Sequence, residues 1–164
     1  MRTQLMTRAR SAYAVAAIAA FSLFGPPSIH VRSVTPTTTG APAGAVLLIE
    51  GRHHDELGKM NVSGRAEGMQ DGKRVTKPLS LTKVSTGHFA VTRQWAEGTP
   101  WVLVLTVEQG DEGHNGVAEA LVKIDAKGSI VGIEHLKPDV VSGTKKPLRV
   151  VEKDVVAALS SIPR

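Results

Sequence analysis

The sharpest grouping of chemically competent side chains in the chain is His53-His54-Asp55. Side chains alternate along extended backbone, so His53 and Asp55 share a face and can present an imidazole and a carboxylate to one cation. Further ligands must then come from a distance. His88, His114 and His135 are donors of the same kind, and Met60 and Met69 would suit soft copper(I), so copper or zinc are the ions such a set would take. The plainer reading of the same residues is an exposed polar loop just after a first strand. Asp111-Glu112-Gly113-His114-Asn115 gathers oxygen donors, yet it lacks the alternating acids and terminal bidentate Glu of a calcium loop and reads as a solvated turn. Arg93, between Val91 and Trp95, can stack on an indole, bind an anion, or lay its stem over apolar surface at a sheet rim.

Covalent catalysis finds little support. The chain has no cysteine, and no serine sits in a Gly-x-Ser-x-Gly elbow; Asn61-Val62-Ser63-Gly64 falls in a predicted strand with no local His or acid to orient it. Phosphate-binding glycine loops, dinucleotide fingerprints and paired zinc motifs are also missing. A non-enzymatic protein without an organic cofactor is expected, copper or zinc being the only ligands its donors suggest.

The formal charge of +5 raises the question of nucleic acid, and the position of the charge answers it. Four of the 20 basic side chains, Arg2, Arg8, Arg10 and Arg32, fall in residues 1–32, which contain no acid, and the remaining 16 face 15 acidic ones. No later stretch interleaves Lys or Arg with aromatics, so no phosphate-backbone footprint is present and no nucleic-acid partner is expected.

That basic end precedes an uncharged, Ala-rich run from Ser11 to Phe24, broken by Gly25-Pro26-Pro27. The layout is that of a signal peptide, and the run is shorter than the ~20 residues of a stable membrane span. Ala17-Ile18-Ala19 and Ala41-Pro42-Ala43 are the two small-x-small candidates for cleavage, one inside the run and one well beyond it. Residues 1–32 are therefore expected to be a signal peptide or an N-terminal membrane anchor. Residues 33–43, rich in Thr and Pro, are expected to be a linker, and residues 44–164 a single domain outside the cytoplasm, whether periplasmic, secreted or anchored. With no cysteine, a hydrophobic core rather than disulfides must hold it.

Beyond the linker the apolar period becomes two, the mark of half-buried strands. Val46–Arg52 is a short apolar run, and Met60–Met69 sets Met60, Val62, Gly64, Ala66 and Gly68 against Asn61, Ser63, Arg65 and Glu67. Asp71-Gly72 predicts a two-residue hairpin turn into a strand over 74–84, interrupted or edged at Pro78. Strands over 88–95, 101–107, 117–125 and 129–136 follow. Trp101–Val107 is apolar on both faces and is expected to be central. Residues 137–146 are expected to be loop, and Val151, Val155, Leu159 and Ile162 predict one terminal helix within 150–161. Core positions are expected at Leu47, Ile49, Val62, Leu79, Leu81, Phe89, Val91, Trp95, Trp101, Leu103, Leu105, Ala120 and Val122.

Gly87-His88-Phe89-Ala90-Val91, followed by Gly98-Thr99-Pro100-Trp101-Val102-Leu103-Val104-Leu105, resembles the core pattern of YtkA-like and FixH-like extracytoplasmic domains, kin in architecture to CopC-type proteins. The likeness covers about residues 44–125; Thr99-Pro100 lengthens the turn before the Trp, and no CopC-type metal motif carries over. It implies an immunoglobulin-like antiparallel β-sandwich of about seven strands, here with a short C-terminal helix. The expected function is an exported or envelope-anchored binding or accessory module with a protein partner in the cell envelope. The alternative is a periplasmic metal-binding protein that uses His53, His54 and Asp55 with a distant His or Met.

Overall fold

The computed structural model describes residues 27–53, 57, 60–109, 116–136, 139–141, 144–146 and 149–163. Its strands are β1 (Ser28–Ser33), β2 (Ala45–Arg52), β3 (Met60–Gln70), β4 (Lys73–Pro78), β5 (Thr82–Ser85), β6 (His88–Thr92), β7 (Trp101–Gln109), β8 (Val117–Ile124), β9 (Ile130–His135), β10 (Asp139–Val141) and β11 (Thr144–Lys146). One helix, α1 (Glu152–Ser161), follows them. The strands form an antiparallel four-stranded sheet, β1-β2-β6-β5, and an antiparallel five-stranded sheet, β4-β3-β7-β8-β9, with β10 and β11 as a separate hairpin. The two larger sheets pack face to face, so the expected β-sandwich with a short C-terminal helix is the fold, with nine strands in its two layers.

The core between the sheets follows from the period-two pattern. Leu47, Ile49 and Val91 of one sheet meet Trp101, Leu103, Leu105, Ala120 and Val122 of the other, all fully buried. Leu79 and Trp95 are buried as expected, while Val62, Leu81 and Phe89 are half-buried and packed against the cluster. Strand β7 is central, as its two apolar faces predict. Gly68 stands opposite Trp101, and a Cβ on it would come within 2.6 Å of the indole, so the glycine makes room for the largest core side chain. Trp101 Nε1 donates to the Ala96 carbonyl at 2.9 Å, whereas the buried Trp95 Nε1 has no acceptor among the described residues.

Asp71 and Gly72 both adopt positive φ, 51° and 73°, and form the tight turn between β3 and β4. Three expectations are corrected. The strand over 74–84 is two strands in different sheets: β4 ends at Pro78 on the sheet edge, the Leu79 N–H still donates to the Gly64 carbonyl of β3, and the chain crosses to the other layer between Leu79 and Thr82. Residues 137–146 contain the β10–β11 hairpin rather than loop alone. The sandwich also begins upstream of the Thr/Pro-rich stretch, because β1 pairs with β2 along its whole length and buries Ile29 and Val31. Residues 34–44 thus connect two neighbouring strands, and Val34 N–H continues the ladder to the Val46 carbonyl.

A second, smaller core lies outside the five-stranded sheet. Helix α1 sets Val155, Ala158 and Ile162 on Val102, Val104 and Leu121 of β7 and β8. Its first turn carries Glu152 and Asp154, favourably placed against the helix dipole, and the Asp154 carboxylate accepts the Val151 N–H at 3.0 Å. Among the described residues no helix is long and apolar enough to cross a membrane; residues 1–26 lie outside them.

Candidate functional site

The alternation that turns Ile29, Val31, Leu47, Ile49, Phe89 and Val91 into the core turns a different set outward from the four-stranded sheet. That set includes Ser28, His30 and Arg32 of β1, Glu50 and Arg52 of β2, and His88 and Thr92 of β6, with Leu48 and Ala90 buried among them. The register places His30 opposite Glu50 and Glu50 opposite His88. An imidazole, a carboxylate and a second imidazole therefore stand in one row across three adjacent strands, and Ser85 of β5 lies opposite His88 at its end.

The central pair is oriented from both sides. Arg52 Nε donates to Glu50 Oε1, while Glu50 Oε2 lies 3.7 Å from His88 Nε2. His88 Nδ1 is 3.0 Å from the Thr86 carbonyl and 3.1 Å from Ser85 Oγ. A carbonyl oxygen only accepts, so Nδ1 carries a hydrogen, and Nε2 is the ring nitrogen that faces Glu50. The side chains of His88 and Glu50 are 33% and 24% exposed, sheltered by the sheet but open to a small solute.

His135 does something different. Its Nε2 accepts the Val31 N–H at 3.0 Å, closing the free edge of β1 onto the end of β9, and its ring lies 6.2 Å from that of His30. Burial, and then the neighbouring His30, hold its pKa below the ordinary histidine range. The lone pair that a metal would need is already engaged.

On the five-stranded sheet two buried carboxylates face the helix side. Glu67 accepts from Arg65 Nε at 2.7 Å and from Arg74, which also reaches Glu152 of α1. Burial alone would raise the Glu67 pKa, but the hydrogen bonds and charges of Arg65 and Arg74 together outweigh it and hold the carboxyl below its usual range. Glu119 accepts Thr106 Oγ1 at 3.1 Å and the Val150 N–H just before α1. Glu119 thus ties down the residue before α1 directly, and Glu67 holds Arg74, which reaches the helix.

The residues singled out in the sequence are dispersed. His53, half-buried after β2, has its Nδ1 3.5 Å from Gln109 Nε2 of the five-stranded sheet. His54, Asp55 and His114 lie outside the described residues. Met60 and Met69 occupy the two ends of β3, ~30 Å apart along an extended strand, and serve no common site. Arg93 binds Glu97 and the Gly128 carbonyl at the rim. Among the described residues, no three imidazole or carboxylate groups already stand around one point. His30 and Glu50 were not anticipated, although strict alternation in Ile29–Val31 and Leu47–Arg52 would have turned both outward; only the pairing register brings them beside His88. Comparison with protein-family models, with curated proteins and with solved structures finds no match to this chain.

Proposed function

We propose that the chain is an exported or envelope-anchored, non-enzymatic binding module whose working surface is the outer face of the four-stranded sheet. The contrast between the two outer faces carries this reading. One is sealed by α1 over an apolar patch, while the other carries a row of ionisable side chains within reach of solvent. The basic, Ala-rich leader supports the extracytoplasmic placement, as does the resemblance to YtkA-like and FixH-like domains, and a partner in the cell envelope is proposed with it. The metal-handling alternative is favoured by one observation, His88 Nε2 and Glu50 Oε2 facing each other at 3.7 Å while the Thr86 carbonyl holds Nδ1.

Fusing alkaline phosphatase, which is active only after export, behind residue 164 tests the compartment. Activity that disappears when residues 2–24 are deleted is the expected result. Equal activity with and without those residues, or none in either, would overturn the extracytoplasmic reading.

A further inference from the structure

The geometry points to a binding site for a divalent transition-metal ion, Zn2+ or Cu2+, formed by His88 Nε2, Glu50 Oε2 and His30 on the outer face of the four-stranded sheet. This inference rests on reading that face as the working surface. Two electron-pair donors, His88 Nε2 and Glu50 Oε2, face each other at 3.7 Å. Ligands ~2.0–2.2 Å from a tetrahedral ion lie ~3.3–3.6 Å apart, so the pair is a few tenths of an ångström from bridging one. The supporting hydrogen bonds match those of a ligating pair. His88 Nδ1 is held by the Thr86 carbonyl, which leaves Nε2 as the donor atom, and Arg52 holds the far oxygen of Glu50 and leaves the near one to the ion.

The third donor comes from the neighbouring strand. His30 stands directly opposite Glu50, on the side away from His88, and is exposed, so its ring can turn over the carboxylate without disturbing the core. Solvent completes the coordination. Arg52 offsets part of the carboxylate charge, which disfavours hard Ca2+ and Mg2+, whose sites are built on oxygen charge, and favours ions that take imidazole. His135 is excluded as a ligand because its Nε2 already accepts the Val31 N–H.

The test is a calorimetric titration of the full chain with Zn2+ and with Cu2+, alongside electron paramagnetic resonance of the Cu2+ form. One equivalent is expected to bind, with two nitrogens coupled to copper. His88→Ala, His30→Ala and Glu50→Gln should each weaken binding ~10-fold or more, and each histidine variant should lose one nitrogen, while His53→Ala leaves affinity within ~2-fold. Circular dichroism of each variant separates loss of the site from loss of the fold. No binding of either ion by the folded chain, or binding that survives His88→Ala and vanishes in His53→Ala, would overturn the assignment. Neither result touches the phosphatase fusion, so failure of the metal site and failure of the export reading are distinguishable.

Discussion

The two outer faces of the sandwich use the same kinds of residue to opposite ends. On the five-stranded sheet Glu67 and Glu119 are 5% exposed and each has both oxygens hydrogen-bonded, Glu119 directly to the residue before α1 and Glu67 to Arg74, which reaches Glu152 of α1. On the four-stranded sheet Glu50 has one oxygen held by Arg52 and the other turned toward an imidazole that offers no hydrogen in its neutral form. A carboxylate whose acceptors are all taken contributes architecture. One with an oxygen 3.7 Å from an imidazole nitrogen and partly open to solvent is less committed to the architecture.

The most severe way to break this comparison is to place the same charge on each face. Val155→Asp buries an unpaired carboxylate beneath α1 and should destabilise by about 3 kcal/mol or more, whereas Thr92→Asp on the exposed face should stay within about 0.5 kcal/mol. Urea denaturation of the two variants decides it, and equal losses would mean that the faces are not distinct. Removing a carboxylate gives a smaller contrast. Glu67→Ala strands Arg65 and Arg74 and should cost about 1–3 kcal/mol, while Glu50→Ala should cost less than about 1 kcal/mol because its partners are partly exposed.

The smallest effect is read against pH. His135 and Glu67 both hold protons less readily in the folded chain than in the unfolded one, so each adds stability above its unfolded pKa and loses it as pH falls through the folded value. The His135 contribution is complete above about 6.5 and fades first; that of Glu67 is complete above about 4.5 and fades later. Melting temperatures measured from about pH 8 to about pH 3 should therefore fall in two stages. His135→Gln, which still accepts the Val31 N–H but does not titrate, should flatten the upper stage alone, and Glu67→Gln the lower. A single stage in the parent chain, or an upper stage that survives His135→Gln, would detach the edge closure from His135.

Much of the architecture was legible because it depends on local patterning. Period-two alternation in β3 and β7, the Asp71-Gly72 turn and the three- and four-residue spacing in Val151–Ile162 each report one element without reference to any other. What was not legible depends on pairing. β1 has only two apolar side chains between an Ala-rich run and a Thr/Pro-rich stretch, and it becomes a strand because β2 offers it a free edge. The outer half of β7 needs α1 to explain its burial. The candidate site was hidden for the same reason: His30, Glu50 and His88 lie 20 and 38 residues apart, and no spacing rule joins them. His53-His54-Asp55 drew attention through adjacency, which in extended backbone sends neighbours to opposite faces.

The position of β1 also brings the Ala-rich run upstream of it close in sequence to the core. With residues 34–44 folded into a connection between β1 and β2, only Gly25-Pro26-Pro27 separates the end of the apolar run from the first core strand. Three extended residues reach at most ~10 Å. Whatever precedes Ser28 is thus joined directly to a strand of the core, β1, the strand that carries His30. Cleavage after Ala43 would remove that strand altogether, taking Ile29 and Val31 out of the core and leaving the ladder of β2 open.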